Sequence, residues 1–452
     1  MKKMSRRTAL KVMGAGILGL AGMAAWNRDQ IIAFLDRDAA AHEAGDDSVQ
    51  VKRRLYPASG TELSLLGFGA MRLPTRHGEI DEELAQKMVD YAYRHGVNYY
   101  DTAYMYHGGE SEAFLGRALS KYPRESYFLV DKMPTFLITD PAEVPQIFEE
   151  QLRRCRTTYF DNYLLHSLSS RADFERIYLD GGGLDYLRKQ KEVGRIRYLG
   201  FSFHGDMPFF DYLMDNFPWD CVMIQLNYLD WNEPDEAPDG ARQGGSLYRK
   251  AMEKHTPCFV MEPVKGGRLA DISSSAESVL RARQPDWSPA AWALRYVASF
   301  PGVVTLLSGM STLAQVVENV QTMAAFEPLT PVERRALAMS LGGGAGSAID
   351  CTYCRYCDPC PYGVDIAGTF HVYNTWAERL HLGEGEEATA SASERAEFLR
   401  HYHNEVAKKA RADMCIHCDE CLPKCPQHLP IPDLLAKINQ LAGAADGKEA
   451  SA

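Results

Sequence analysis

The chain has 452 residues, of which 49 are basic and 60 acidic, so its formal net charge is −11. Hydrophobic residues make up 46% and charged residues 24%, which excludes a disordered, collagen-like or low-complexity chain. The acidic excess argues against a nucleic-acid partner, because binding of phosphates needs a basic face. The length predicts about three domains, although a single α/β barrel can exceed about 200 residues.

The first 26 residues have the pattern of an export signal. Basic residues up to Lys11 precede a weakly apolar run over 12–26, which is too short and too rich in glycine for a membrane span of about 20 residues. The segment Ser5-Arg6-Arg7-Thr8-Ala9-Leu10-Lys11 resembles the twin-arginine export motif. We expect the twin-arginine machinery as a partner and a protein that is periplasmic or anchored in the membrane facing the periplasm. The alternative is an amphipathic N-terminal helix on a cytoplasmic protein.

After a polar spacer over 27–50, short apolar runs alternate with segments of helical spacing. The predicted strands are Leu63–Met71, Val97–Asp101, Tyr127–Lys132, Asn162–His166, Ile196–Ser202, Cys221–Leu226, Cys258–Glu262 and Val303–Leu307. The predicted helices are Asp81–His95, Ser111–Tyr122, Ala142–Arg156, Leu184–Glu192, Met207–Phe217, Ser246–His255, Pro289–Phe300 and Leu313–Phe326. Several of these helices begin at Ser, Asp or Pro, which suit helix starts.

Eight such βα units with nearly continuous apolar strands predict an α/β fold, a parallel (β/α)8 barrel over residues 51–330. The alternative is an open doubly wound sheet, but Gly67-Phe68-Gly69 lacks the third glycine of a dinucleotide fingerprint. Before the first strand, Ser59-Gly60 predicts a hairpin turn that closes the bottom of the barrel.

Ionisable residues end successive predicted strands, where barrel enzymes place their catalytic groups. Asp101, Lys132 and His166 each end an apolar run, and Tyr106 follows Asp101 by five residues. A buried Lys132 requires a partner such as Asp101, and its charge is expected to lower the pKa of a nearby phenol from about 10. A tyrosine of this kind donates a proton to a carbonyl oxygen while hydride reaches the carbon. His166 would orient the carbonyl or relay the proton.

Over residues 50–330 the sequence resembles the aldo-keto reductase family. The segments that carry the resemblance are Leu66-Gly67-Phe68-Gly69-Ala70-Met71-Arg72, Asn98-Tyr99-Tyr100-Asp101-Thr102-Ala103-Tyr104-Met105-Tyr106, Asp161-Asn162-Tyr163-Leu164-Leu165-His166, Gly194-Arg195-Ile196-Arg197-Tyr198-Leu199-Gly200-Phe201-Ser202 and Gln225-Leu226-Asn227-Tyr228. The resemblance implies a catalytic tetrad of Asp101, Tyr106, Lys132 and His166, a (β/α)8 barrel, and a nicotinamide dinucleotide across the strand ends.

The resemblance also implies a cofactor shell of Ser202, Gln225, Met261, Ser308, Gln315 and Asn319. Ser202 and Gln225 stand where the family binds the nicotinamide carboxamide. Met261 replaces the aromatic residue that stacks on the ring, and Phe203 replaces an asparagine; core packing is the alternative for both. Gln315 stands where NADP-preferring members have an arginine, so NADP and NAD both stay open.

Eight of the eleven cysteines lie in two runs near the C-terminus, which indicates metal chemistry rather than a disulfide scaffold. The runs are Cys351, Cys354, Cys357 and Cys360 before Pro361, and Cys415, Cys418, Cys421 and Cys425 before Pro426. Their spacing is that of a bacterial two-cluster ferredoxin, with one residue missing in the first run, and predicts two 4Fe-4S clusters. The predicted ligand sets are Cys351, Cys354 and Cys357 with Cys425, and Cys415, Cys418 and Cys421 with Cys360. Zinc and disulfides are the alternatives. The remaining Cys155, Cys221 and Cys258 are expected to be buried apolar residues.

A glycine-rich break at 342–347 separates the barrel from a predicted small, mainly helical, ferredoxin-like iron–sulfur domain over 347–440. The whole chain resembles the aldo-keto reductase subfamily with such a dicluster domain. The predicted function is oxidation and reduction of a small carbonyl or alcohol substrate at the barrel mouth, with the clusters passing electrons to an electron-transfer protein. The alternatives are clusters that are only structural, and an electron-transfer or nucleotide-binding docking protein without carbonyl turnover. The complete tetrad favours the enzyme.

Overall fold

The structure is a computed structural model that describes residues 48–237, 242–341, 349–377 and 391–446. The predicted export segment over 1–26 and the glycine-rich break at 342–347 lie outside the described residues, as does nearly all of the predicted spacer. Among the described residues, no helix has both the length and the apolar character needed to cross a membrane.

Eight parallel strands close into a barrel in which each barrel strand pairs with the next one along the chain and the last pairs with the first. All strands of the described residues are β1 (Arg53–Tyr56), β2 (Thr61–Ser64), β3 (Leu66–Gly69), β4 (Thr75–Arg76), β5 (Glu79–Ile80), β6 (Tyr99–Asp101), β7 (Phe128–Met133), β8 (Phe160–Leu168), β9 (Ile196–Phe203), β10 (Cys221–Gln225), β11 (Cys258–Met261) and β12 (Val303–Gly309). The eight predicted strands overlap β3 and β6 to β12; the first, predicted over Leu63–Met71, also takes in the end of β2 and part of the 3-10 turn after β3. The parallel barrel is confirmed and the open sheet is excluded.

Helices follow the barrel strands and cover them. The α-helices of the described residues are α1 (Glu82–Arg94), α2 (Glu110–Leu119), α3 (Glu143–Arg154), α4 (Arg171–Phe174), α5 (Gly183–Glu192), α6 (Met207–Asn216), α7 (Gly244–Glu253), α8 (Ser274–Arg283), α9 (Pro289–Ala298), α10 (Leu313–Ala324), α11 (Pro331–Leu341), α12 (Ile366–Ala377), α13 (Ala392–Glu405) and α14 (Ile431–Asp446). All eight predicted helices are confirmed. The helices α8 and α11, which pack on each other, were not predicted.

The hairpin of β1 and β2 closes the amino-terminal end of the barrel, as predicted. Gly60 in its turn adopts a φ of 66°, a conformation that favours glycine. Tyr56 at the end of β1 is fully buried, and its ring meets those of Tyr198 and Phe259 edge-on at 5.1 and 5.3 Å. The barrel interior is therefore a packed core, and its opposite end is free to carry a site.

The segments after the barrel have a hydrophobic core of their own, contributed mainly by α12, α13 and α14. Phe370, Trp376, Phe398, Tyr402 and Leu435 are the main buried side chains of this C-terminal unit. Both cysteine runs lie in irregular segments, one before α12 and one between α13 and α14.

Candidate active site

Three strands and one turn bring the four predicted catalytic side chains together at the carboxyl end of the barrel. Asp101 ends β6, Lys132 lies near the end of β7, His166 lies in β8, and Tyr106 begins a short 3-10 turn after β6. Because β7 pairs with both β6 and β8, these strand ends are neighbours. All four side chains are buried. The structure thus assembles the complete set predicted from the sequence.

The ammonium group of Lys132 lies at the centre of this set. Its Nζ donates to Asp101 Oδ1 at 2.5 Å and to the carbonyl oxygen of Thr102 at 2.6 Å. The same Nζ lies 3.4 Å from the Oη of Tyr106. The side chains of Lys132 and Asp101 are only 2% and 3% exposed, so water does not weaken their attraction. Lys132 is therefore fixed within reach of the phenol oxygen.

Burial decides the protonation of Tyr106. It raises the pKa of Tyr106 well above its ordinary value, the Asp101 carboxylate adds to this rise, and a hydrogen bond with Tyr356 opposes it. The expectation that Lys132 lowers the pKa of this phenol is wrong in its net direction, because burial and Asp101 dominate. Burial also raises the pKa of Asp101, and Lys132 opposes that rise. Tyr106 therefore keeps its proton at neutral pH, the form that a general acid needs.

An irregularity in β8 sets the position of His166. The register with β9 shifts between Leu165 and Leu168, and Ser167 adopts a φ of 55°. Such a bulge changes the direction in which nearby side chains point. The His166 Nε2 forms a hydrogen bond of 2.9 Å with the Oη of Tyr356. Burial lowers the pKa of His166 well below its ordinary value, so the imidazole is neutral at pH 7.

A cavity of about 580 Å³ opens beside Asp101 and Tyr106. Its volume falls within the range of small-molecule sites, about 300–1,000 Å³. Four of the six predicted cofactor-binding residues line it: Met261, Ser308, Gln315 and Asn319. The lining also includes Arg72 and Arg281, and the acidic residues Glu262, Asp271, Glu277, Asp286 and Glu318. Among these residues, the hydroxyl, amide and arginine side chains suit sugar hydroxyls and phosphates and could hold a nucleotide.

Gln315 is engaged as a helix cap. Its Oε1 accepts from the backbone N–H of Ser311 at 2.7 Å and of Thr312 at 3.3 Å, which completes a capping box at the start of α10. Farther along α10, Asn319 Nδ2 donates to Ser308 Oγ at 3.0 Å. Gln315 is thus held at the cavity wall and brings no charge to it.

The other two predicted cofactor residues do not line this cavity. Ser202 Oγ accepts from the backbone N–H of Ser167 at 2.8 Å. Gln225 Nε2 donates to Asp230 Oδ2 at 2.6 Å and to Gln427 Oε1 at 3.1 Å. Gln427 Nε2 in turn donates to Gln225 Oε1 at 2.9 Å. The segment after Cys425 therefore covers the side of the barrel mouth where Gln225 lies.

Sequence reasoning missed a second buried ion pair at the mouth, between Asp230 and Lys265. The two side chains are 2% and 1% exposed. Asp230 also accepts from Asn227 Nδ2 at 2.7 Å. Asp230 follows β10 and Lys265 follows β11, each by a few residues, as Tyr106 follows β6. That position after a strand end is the signal that could have found them.

The sequence profile of the aldo/keto reductase family matches residues 65–338, more than half of the chain. The chain belongs to the aldo/keto reductase family. Arabidopsis thaliana L-galactose dehydrogenase is 24% identical over 298 residues, which cover 62% of this chain and 90% of the relative. A holo-form aldo-keto reductase from Bacillus halodurans shares 25% identity and a TM-score of 0.52, over 64% of this chain and 96% of that one. A Klebsiella pneumoniae aldo-keto reductase solved with NADPH shares 21% identity and a TM-score of 0.52, over 64% and 95% of the two chains.

The family assignment confirms the resemblance drawn from the strand-end motifs. This aldo/keto reductase is an enzyme, an oxidoreductase, as the four strand-end residues predicted.

In this aldo/keto reductase, the eight clustered cysteines border two small cavities. One is lined by Cys351, Cys354, Cys357 and Cys425. The other is lined by Cys357, Cys360, Cys415, Cys418 and Cys421. Apart from Cys357, which lines both cavities, this grouping agrees with the two ligand sets that the spacing predicts. In the described parts of the chain, no three His, Cys, Asp or Glu side chains are grouped so as to hold a single metal ion.

The two cysteine runs have the same backbone conformation at two corresponding positions. Residues with left-handed φ flank the second cysteine of each run: Tyr353 (57°), Arg355 (61°), His417 (56°) and Asp419 (62°). Outside glycine, such conformations cost about 1–3 kcal/mol each. Their recurrence at the same two positions indicates that both loops are shaped for the same kind of site.

All eleven cysteines are free, so the disulfide alternative is wrong for this structure. Cys155, Cys221 and Cys258 are buried on barrel elements, which confirms that they are packing residues.

Proposed function

We propose that this protein interconverts a small carbonyl compound and the corresponding alcohol with a nicotinamide dinucleotide. The observation that carries the proposal is the position of Lys132 Nζ, hydrogen-bonded to Asp101 and within 3.4 Å of the Tyr106 hydroxyl. That is the arrangement of a proton donor whose charge is stabilised when the proton leaves.

The cofactor that we propose is NADP(H). When bound, it supplies or accepts the hydride, and Met261, Ser308 and Asn319 would hold it in the cavity beside Tyr106. The Klebsiella neighbour that binds NADPH supports this class. NAD(H) is the alternative, because Gln315 offers no charge to a 2′-phosphate. Affinities for NADPH and NADH, measured by fluorescence titration, decide between the two.

In this proposal each tetrad member has one task. Tyr106 donates the proton of its Oη to the carbonyl oxygen. Lys132 stabilises the negative charge that Tyr106 then carries, and Asp101 fixes Lys132. The neutral His166 orients the carbonyl oxygen through Nε2. During alcohol oxidation, Tyr106 takes the proton back.

Replacement of Tyr106 by phenylalanine tests the role of the proton donor. Because general acid catalysis contributes about 10²–10⁴-fold, Tyr106→Phe should lower kcat for carbonyl reduction by at least about 10²-fold. Tyr104→Phe is the matched control, since the Tyr104 hydroxyl binds Glu150 at 2.9 Å, away from the tetrad. Full turnover by Tyr106→Phe would refute the assignment.

We propose further that the C-terminal unit holds two 4Fe-4S clusters, which serve as one-electron carriers. The first would be held by Cys351, Cys354, Cys357 and Cys425, and the second by Cys360, Cys415, Cys418 and Cys421. The ferredoxin-like spacing, the two cysteine-lined cavities and the shared left-handed turns support this. Iron and acid-labile sulfide analysis of anaerobically purified protein tests it; zinc without sulfide contradicts it.

The coupling of the clusters to the barrel, and from there to an electron-transfer protein, is also a proposal. It is supported by the contact of the first cysteine run with the tetrad through Tyr356 and His166. If the proposal is right, adding an alcohol substrate with the cofactor bleaches the visible absorbance of the clusters. Turnover without any change in that absorbance would make the clusters structural.

We propose twin-arginine export to the periplasm on the basis of Arg6 and Arg7. Cell fractionation of the wild type and of an Arg6→Lys/Arg7→Lys variant tests this. Retention of the variant in the cytoplasm is expected, and an unchanged distribution contradicts export by this route.

A further inference from the structure

Tyr356 enters the active site from the first cysteine run. It stands between Cys354 and Cys357, and its Oη lies 2.9 Å from His166 Nε2. The ring of Tyr106 meets that of His166 edge-on at 5.9 Å, so Tyr356, His166 and Tyr106 share one corner of the site. An oxygen atom of the chain itself thus contacts His166, one of the two groups that would bind a carbonyl oxygen.

The ring of Tyr356 is held as firmly as its hydroxyl. It stacks on Phe136 with a centroid distance of 5.4 Å, and it meets His166 edge-on at 5.9 Å. Phe136 also meets His166 at 5.4 Å. Two aromatic rings therefore cover His166. In agreement with this, Tyr106 lines the cavity of about 580 Å³ and His166 does not.

Two arginines of the barrel bind the loop that carries Tyr356. Arg72 donates to the carbonyl oxygen of Thr352, and Arg268 pairs with Asp350. Within the loop, Arg355 Nη1 lies 2.9 Å from Asp358 Oδ2. The loop is therefore part of the wall of the active site.

We propose that Tyr356 is a specificity-determining residue: its hydroxyl fills the site of the carbonyl oxygen, and substrate has to displace it. The inference rests on the proposed carbonyl chemistry. Because the phenol is rigid, its ring has to turn aside together with the hydroxyl and still takes up room beside Phe136, so the pocket favours small aliphatic carbonyl compounds over aryl carbonyl compounds. The residue acts by competition with substrate.

Two variants separate the hydroxyl from the ring. Tyr356→Phe removes the competing oxygen, so KM for methylglyoxal should fall about threefold to tenfold, the effect of one neutral hydrogen bond, with kcat within about twofold. Tyr356→Ala also removes the ring and should raise kcat/KM for 2-nitrobenzaldehyde by at least about tenfold. Tyr373→Phe, on α12 and away from the tetrad, is the control and should change neither.

Binding of acetate, whose oxygen can occupy the same site, tests the inference without turnover. Tyr356→Phe should bind acetate about threefold to tenfold more tightly than the wild-type full chain in calorimetry. If no variant reduces any carbonyl compound but acetate binding tightens, the proposed function fails while the role of Tyr356 stands. Unchanged or weaker acetate binding, an unchanged KM, or a tenfold loss of kcat in Tyr356→Phe would each overturn the inference.

Discussion

Lys132 links the stability of the site to its chemistry. Its ion pair with Asp101 is almost completely buried, so the loss of one partner leaves an uncompensated charge in the barrel. The same ammonium lies 3.4 Å from the oxygen that becomes negative when Tyr106 gives up its proton. One residue therefore serves both the fold and the proposed reaction, and the two contributions can be measured separately.

Lys132→Met should lower the free energy of unfolding by about 3 kcal/mol, because Asp101 is left buried without a partner. It should also lower kcat by at least about 10²-fold, since the charge on Tyr106 is no longer stabilised. Urea unfolding and steady-state kinetics measure the two effects. The double variant Asp101→Asn/Lys132→Met should regain most of the stability but none of the activity. A double variant as unstable as Lys132→Met would contradict the ion-pair explanation.

The pH dependence of the reaction follows from the two pKa shifts at the site. The pKa of Tyr106 is raised well above 10, so this acid stays protonated as pH rises to about 9. The pKa of His166 is lowered well below 6.5, so the imidazole stays neutral as pH falls to about 6. The kcat/KM for carbonyl reduction should therefore vary by less than about twofold from about pH 6 to 9. The kcat/KM for alcohol oxidation should rise over the same range, because this direction needs deprotonated Tyr106. A fall in reduction with a midpoint below about pH 9 would show that Lys132 lowers the pKa after all.

At the scale of elements, the hairpin of β1 and β2 packs Tyr56 and Leu63 against the barrel core. Neighbouring side chains of β1 differ sharply in burial: Tyr56 is fully buried among barrel residues, whereas Leu55 is 54% exposed. The hairpin thus contributes to stability through one face only.

Tyr56→Ala should destabilise the protein by about 3–5 kcal/mol, because it empties a packed position between Tyr198 and Phe259. Leu55→Ala on the same strand should change the free energy of unfolding by less than about 0.5 kcal/mol. Denaturant unfolding of both variants checks this. Equal losses in the two variants would mean that the hairpin is held by its strand pairing and not by the aromatic contacts.

Strands and helices of the barrel could be predicted because their apolar periods are local signals. The end of β8 could not: the sequence predicts it at His166, but the strand continues to Leu168 past a left-handed Ser167. No sequence pattern marks a serine as left-handed. Helix α8 was missed because only two of its side chains, Ala276 and Leu280, are buried and give it no clear apolar stripe.

At the scale of the whole molecule, the structure brings the four predicted tetrad side chains together and places the clustered cysteines around two cavities, but the contacts between the barrel and the C-terminal unit were not predicted. Tyr356 meets His166 across 190 residues and Gln427 meets Gln225 across 202. Such contacts depend on how the barrel and the C-terminal unit pack against each other. Each is made by a single polar residue, which has no periodic sequence pattern from which it could be predicted. Polar residues at strand ends predict the catalytic side chains of the barrel, but they do not predict which residues of the C-terminal unit pack over them.

In the proposed arrangement of clusters, the first ligand set lies beside the active site and the second does not, so the loss of a cluster should have unequal effects. Tyr356 lies between two cysteines of the first set, and Gln427 follows Cys425 by two residues. Both cavities are lined by residues of the C-terminal unit alone, so the difference between the sets lies in the contacts that Tyr356 and Gln427 make with the barrel. Cys425→Ala and Cys418→Ala should each lower the iron content from about eight to about four atoms per chain, if each removes one 4Fe-4S cluster.

Only Cys425→Ala should also change KM, because it alone loosens the segments that carry Tyr356 and Gln427 into the barrel mouth. Iron analysis, electron paramagnetic resonance of the reduced protein and steady-state kinetics measure these outcomes on the full chain. Unchanged iron in both variants would show that these cysteines are not ligands. An equal change of KM in Cys418→Ala would mean that the clusters act through the stability of the whole C-terminal unit. The proposal that Cys425 affects the active site locally, through the segments of Tyr356 and Gln427, would then be wrong.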